Sequence, residues 1–231
     1  MKRTTGATLC LLVATLIVRL AITGAYKQYV RAAMGPWLLV AGVALGLCAL
    51  AALLAPTSVD DDHEDHQHHH VHGASRAGWL LVPLLISVFV VAPGSLGSFA
   101  LDHATRIDVT AGGSSFAPLP STGAPYVMPV HEFVQRAFDE DGSTLGDATV
   151  SLTGFVADGG NHEVFRLARY QIACCAADAQ AAIVRIVDNV VPVVRDSWVT
   201  VEGTFGGIDH GTPVLRAVRV ASVAAPPDPY E

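Results

Sequence analysis

No charged residue falls between Ala32 and Val59, and no other feature restricts this chain as strongly. Within that run, Pro36 to Leu54 consists almost wholly of Leu, Ala, Val and Gly. At about 1.5 Å per residue it is the length that crosses a bilayer core. Ala77 to Leu101 is equally uncharged, with Trp79 at the position of an aromatic-belt residue and Pro93-Gly94 ending the helix near its far side. A third apolar stretch, 5–23, carries Arg19, which an isolated helix tolerates by snorkelling to the nearer interface. A secretory signal peptide competes for these residues, with Lys2-Arg3 as its charged region, Ala7 to Val18 as its apolar region and Thr23 to Ala25 as a small-x-small cleavage site. Arg19 fits such a signal badly. Lys27, Arg31 and Pro36 instead read as the turn of a hairpin between two spans, so three transmembrane α-helices are expected.

The charge is distributed accordingly. Up to Pro56 there are five Lys or Arg and no acid; from Gly78 onward there are sixteen acids against eight Arg. The formal net charge of −7 and the scattering of the cations exclude a nucleic-acid partner. Lys2, Arg3 and Arg76 would lie on one side of the bilayer and Lys27, Arg31 and Arg106 on the other. The basic amino end then favours a cytoplasmic N-terminus and an extracytoplasmic C-terminal domain, in a multi-pass protein of the cell membrane. Gly42 and Gly46 form a Gly-x-x-x-Gly pair suited to close helix packing, although an Ala/Gly-rich span produces this spacing by chance as well. Arg19 is the only charged residue within the expected spans, so the helices by themselves offer no conduction path.

Between the second and third spans lies a loop, 57–77, that holds His63, His66, His68, His69, His70 and His72 among five acids. Imidazole and carboxylate together suit Zn2+ or another divalent transition metal. The redundancy fits loading or buffering rather than a catalytic centre, which needs fixed ligands and an open position. The competing reading is a solvated low-complexity linker.

Residues 102–129 have the Gly/Pro/Ser composition of an extended tether. A folded unit is expected over 130–225, followed by a tail, 226–231. It opens with a short helix, Val130 to Asp141, whose Phe133, Val134, Ala137 and Phe138 recur at helical spacing. Five β-rich runs follow: Ala148 to Ala157, Glu163 to Cys174, Ala182 to Val187, Trp198 to Phe205 and Val214 to Val223. The expected fold is a small OB-like five-stranded β-barrel, with an SH3-like barrel or open sandwich as alternatives. It lacks the basic groove of nucleic-acid-binding OB folds and reads as a protein-interaction or small-ligand module.

Cys10 and Cys48 lie in expected spans. Cys174 and Cys175 are adjacent, and on a strand their side chains would point to opposite faces. A disulfide between neighbours is strained, which leaves a thiolate metal ligand, a redox thiol, or one buried small residue beside an exposed one. The residues Gly154-Phe155-Val156, Phe165-Arg166-Leu167-Ala168-Arg169, Ile172-Ala173-Cys174-Cys175-Ala176-Ala177-Asp178-Ala179 and Asp196-Ser197-Trp198-Val199-Thr200-Val201-Glu202-Gly203 resemble the C-terminal domain of the YcgQ-like family of permease subunits. Pro93-Gly94-Ser95-Leu96-Gly97 resembles the end of a span in the same family, so the likeness extends over most of the chain. The resemblance implies a membrane-anchored subunit working beside a multi-span permease, with a link to divalent-metal homeostasis. It marks Arg169, Cys174, Cys175, Asp178 and Trp198 as recurrent without giving their roles; by their chemistry Cys174, Cys175 and Asp178 would make a mixed metal-ligand set if the following turn gathers them. No Gly-x-Ser-x-Gly, Walker, dinucleotide or His-Glu-x-x-His motif occurs, and no catalytic role is expected. The alternatives to the accessory subunit are a stand-alone metal-binding membrane protein, acting as sensor or chaperone, and an inert anchored interaction module.

Overall fold

The computed structural model describes residues 2–55, 83, 87, 95–102, 104–107, 116–161 and 163–231. The chain divides into two units: Met1–Tyr26 with Ala32–Pro93, and Lys27–Arg31 with Gly94–Glu231. The His/Asp loop 57–77, and with it His63, His66, His68, His69, His70 and His72, lies outside the described residues, as does most of the expected third span.

The first unit is a hairpin of helices α1 (Lys2–Thr23) and α2 (Gly35–Leu54). Both are long and apolar enough to cross a membrane. The core helix of a soluble protein would be mostly buried, whereas Leu12, Trp37, Val40, Val43, Leu47 and Leu54 are exposed. The turn is shaped by Tyr26, whose hydroxyl donates to the Ala32 carbonyl at 2.8 Å. Pro36 then starts α2, where its fixed φ and missing N–H cost nothing. The helices run antiparallel: Gly42 faces Ile17 and Val18, and Gly46 faces Ala14. The Gly-x-x-x-Gly stripe thus receives the chain's own α1.

The second unit has at its centre a mixed sheet of seven strands, where five were expected: β1 (Thr105–Arg106), β2 (Tyr126–Val127), β3 (Thr149–Asn161), β4 (Val164–Gln171), β5 (Gln180–Val187), β6 (Trp198–Asp209) and β7 (Thr212–Val223). Their order is β1-β5-β4-β3-β6-β7, with β2 beside β3 and a further parallel pairing of β5 with β7. The five longer strands correspond to the five alternating runs. The two extra ones have two residues each, too few to display a period, and they come from sequence that reads as tether. Helix α3 (Val130–Phe138) closes one face, with Phe133, Val134 and Ala137 in a core shared with Leu152, Leu167, Val184, Ile186, Val201 and Leu215. It ends three residues earlier than expected, because Glu140, Asp141 and Gly142 all take positive φ. Gly142 is required there on a second count: a Cβ would overlap the Phe205 ring, which packs edge-on against Phe133 with centroids 6.1 Å apart.

Two segments expected outside the fold belong to it. In the tether, Leu119 N–H donates to the Thr144 carbonyl at 2.9 Å, and Arg136 lies 4.5 Å from the Phe116 ring centroid while donating to the Ala117 carbonyl. In the tail, Tyr230 pairs with Tyr170, and the buried Glu231 carboxylate accepts the Val130 and His131 amides at 2.9 and 3.0 Å. Residue 129, at the N-cap of α3, is a proline with no side-chain cap, so Glu231 satisfies these amides from about a hundred residues away.

Two outcomes follow. Gly42→Val should push α1 from α2 and lower the Tm of the detergent-solubilised chain, by the 1–3 kcal/mol typical of overpacking, whereas Gly46→Ala, meeting Ala14 at an ordinary 3.6 Å, should leave it unchanged or raised. Glu231→Ala should cost about 1–2 kcal/mol through the lost cap, read as an earlier urea midpoint.

Candidate functional site

Strand β4 ends at Gln171, and the chain must reverse before β5 begins at Gln180. The reversal is made by Ala173-Cys174-Cys175 and a single turn, Ala176–Asp178, organised by one carboxylate. Asp178 Oδ1 accepts the Ala173 amide at 2.9 Å, and Oδ2 accepts the Cys174 and Cys175 amides at 2.8 and 3.2 Å. Cys175 completes a capping box, its sulfur accepting the Asp178 amide while Asp178 accepts the Cys175 amide.

This staple supplies the bend without which adjacent thiols would diverge. The two cysteines lie on a bend rather than on a strand, and their sulfurs come within 3.6 Å of each other. One ligand atom each from Cys174, Cys175 and Asp178 lies within 4.8 Å of the others, which makes them a possible metal-ligand cluster among the described residues. Cys174 is exposed and Cys175 half-buried. Hydrogen bonds from the Cys174 thiol and amide, followed by those from the neighbouring amides, hold the Asp178 carboxyl at about 2. The same contact with Asp178, then that with Cys175, pushes the Cys174 thiol up to about 12. Without a cation the Cys174 thiol is therefore protonated at neutral pH, which disfavours it as a nucleophile.

A strap of backbone lies along the loop. Val30 bridges to Cys175, the Arg31 amide donates to the Cys174 carbonyl at 3.1 Å, and the Ala176 amide donates to the Tyr29 carbonyl at 2.7 Å. Sequence reasoning missed this contact, which is made entirely by main-chain groups and leaves no trace in residue identity. Tyr230 was missed as well. Its hydroxyl donates to the Gln28 carbonyl at 2.7 Å and accepts the Leu96 amide at 3.3 Å.

The other motif residues build the frame around this loop. The Arg169 guanidinium donates to the carbonyls of Thr153 and Asp228, lies 3.5 Å from the Glu231 carboxylate and sits 5.4 Å from the centroid of the Trp198 ring. Trp198 meets Phe155 edge-on and packs with Leu96, Leu101, Tyr170, Ile172 and Tyr230 in a second apolar cluster. Tyr170 donates to the Gly97 carbonyl at 3.0 Å, and Asp196 accepts the Ser98 amide and hydroxyl at 2.7 and 3.0 Å. The Leu96-Gly97 pair of the span-ending motif is thereby fastened to the sheet. Of the four histidines outside the 57–77 loop, His131 pairs with Glu231 at 2.9 Å and His210 is exposed, while His103 and His162 lie outside the described residues. A pocket of about 300 Å³ elsewhere is rimmed by the pairs Arg166–Asp158 and Arg185–Asp209, each cation already matched to its own anion.

Among known families, residues 6–105 match the DUF1980 N-terminal domain and residues 137–231 match the DUF1980 C-terminal domain. No curated protein and no solved structure matches the chain. Asp178→Asn removes the carboxylate that holds the Cys174 proton. A thiol returning toward its ordinary range gains thiolate about tenfold per pH unit. Iodoacetamide labelling of Cys174 at pH 8, followed by mass spectrometry, should therefore accelerate at least about tenfold.

Proposed function

The chain belongs to the DUF1980 family, and from that premise we propose that it is a membrane-anchored accessory subunit of a multi-span permease, serving divalent-metal homeostasis of a zinc-like kind. The observation that carries the reading is the Tyr230 hydroxyl, which holds both Gln28, between α1 and α2, and Leu96, in the closing part of the third apolar stretch. Both contacts lie within the second unit and tie the residues between α1 and α2, and those after Pro93, to the sheet.

A parity argument supports the topology. The 27–31 strap is part of the β-unit, so both lie on one side of the bilayer. A crossing by α2 must then be undone before Gly94, and the uncharged residues 78–93, the part of the third apolar stretch ahead of the β-unit, supply one return. Three spans result, with the His loop on the opposite side from the β-unit. The basic amino end places the N-terminus in the cytoplasm and the β-unit outside. Pairing of β5 with β7 supports an OB-like closure of the five longer strands. The Gly42 face is occupied by α1, leaving Trp37, Val40, Val43 and Leu47 for lipid and the partner. In this role the chain supplies binding and docking rather than catalysis.

The Cys174–Cys175–Asp178 cluster also favours a second reading, a stand-alone metal sensor or chaperone. Photo-crosslinkers separate the two. From position 43 a stoichiometric multi-span protein should be captured, and from position 42 it should not. A chain that crosslinks only to itself would favour the stand-alone reading. Alkaline phosphatase fused after Glu231 should be active and fused within 57–77 inactive; the reverse pattern would invert the topology.

A further inference from the structure

We propose that Cys174, Cys175 and Asp178 form an exchangeable site for a tetrahedral, thiophilic divalent ion of the zinc class, with the fourth position open to an incoming ligand. The inference deepens the metal-linked part of the function proposed above and rests on that reading for its physiological setting. The donor set comes first. Two sulfurs and one carboxylate oxygen select zinc-class ions over magnesium or calcium, which take oxygen ligands.

The spacing of the sulfurs narrows the class. Two Zn–S bonds of about 2.3 Å at a tetrahedral angle put their sulfurs about 3.8 Å apart, and a linear dithiolate with the same bonds needs about 4.6 Å. The observed 3.6 Å fits the tetrahedral case. The disulfide alternative is opposed by the backbone: consecutive Cα atoms are about 3.8 Å apart across a trans peptide, below the roughly 4.4 Å lower limit of ordinary bridges.

Asp178 keeps a place for the ion. A carboxylate offers about four lone-pair sites. Three backbone amides occupy Asp178, which leaves one such site, and a carboxylate oxygen lies within 4.8 Å of both sulfurs. Loading fills that site by coordination. Two S–H bonds break, two metal–sulfur bonds form, two protons leave to solvent, and the free carboxylate lone pair turns to the metal. No oxidant or reductant is needed. A closed structural site would supply four protein ligands. Here Cys174 is exposed, so water or a donor from a receiving protein fills the fourth position and the ion can be handed on. The strap at Tyr29 and Arg31 and the Asp178 staple fix the loop in advance, so little ordering is needed on binding.

The test uses the full chain, reduced and in detergent, with His63, His66, His68, His69, His70 and His72 changed to Gln to silence the loop. Cobalt(II) titration should give one equivalent bound, with a thiolate-to-cobalt charge-transfer band and the visible bands of a tetrahedral centre, all bleached by zinc. Cys174→Ser and Cys175→Ser should each cut the charge-transfer band by about half or more, and the double variant should abolish it. Each should also weaken binding beyond the roughly 10–100-fold typical of losing an outer-shell partner, with the Tm unchanged. Cobalt binding without a thiolate band, or serine variants that bind as the parent does, would overturn the inference. Capture of a permease without the band would sink the site and spare the accessory role; the band without a partner would do the opposite.

Discussion

The hydroxyl of Tyr230 is bonded to chain 134 and 202 residues earlier, donating to Gln28 and accepting from Leu96. A phenol oxygen can do both at once, and burial of its ring makes the arrangement costly to open. Around it, Tyr170 stacks on Phe155, Trp198 meets Phe155 edge-on, and Arg169 lies over Trp198 while binding the carbonyls of Thr153 and Asp228. Glu231 extends the same assembly to the first turn of α3. Removing the 228–231 segment would therefore strip partners from a helix, a strand edge and the strap together.

The frame explains why the cysteine loop is not an ordinary β-turn. A hairpin between β4 and β5 could have closed with two residues of turn chemistry. Instead the chain bends outward, and a carboxylate three residues beyond Cys175 gathers three consecutive amides. Such amide groups are an anion site that the protein fills with its own side chain. The apposition of the thiols is a by-product of satisfying those donors, which is why it needs neither a strand nor a disulfide.

Much of this was legible in the sequence, and what was not has identifiable causes. The five long strands and α3 announced themselves because alternation and 3.6-residue spacing accumulate over eight or more positions. Strands of two residues, Thr105–Arg106 and Tyr126–Val127, cannot carry a period, and their Gly/Pro-rich surroundings suggested a tether. Tyr230 and Glu231 follow a Pro-Pro-Asp-Pro stretch that looks like the end of a domain, yet they contribute buried side chains. The family likeness drew notice to Cys174, Cys175 and Asp178, and their donor chemistry grouped them. The Cys175-x-x-Asp178 spacing of a capping box was a local signal that would have predicted the bend and hence the convergence of the sulfurs.

Asp178 has a consequence for how such a site can change over time. Its carboxylate sets the shape of the loop and also offers a donor to whatever the loop holds, so the two properties cannot be inherited separately. Cys174 and Cys175 are placed differently. Their backbone amides and carbonyls hold the loop and the strap, and any residue supplies those groups, while the cap that the Cys175 sulfur gives the Asp178 amide can be given by a hydroxyl. Substitution at 174 or 175 can alter the donor while the scaffold persists, whereas drift at 178 removes scaffold and donor in one step. Relatives that keep an acid at this position with different neighbours would retain the bend and bind something else.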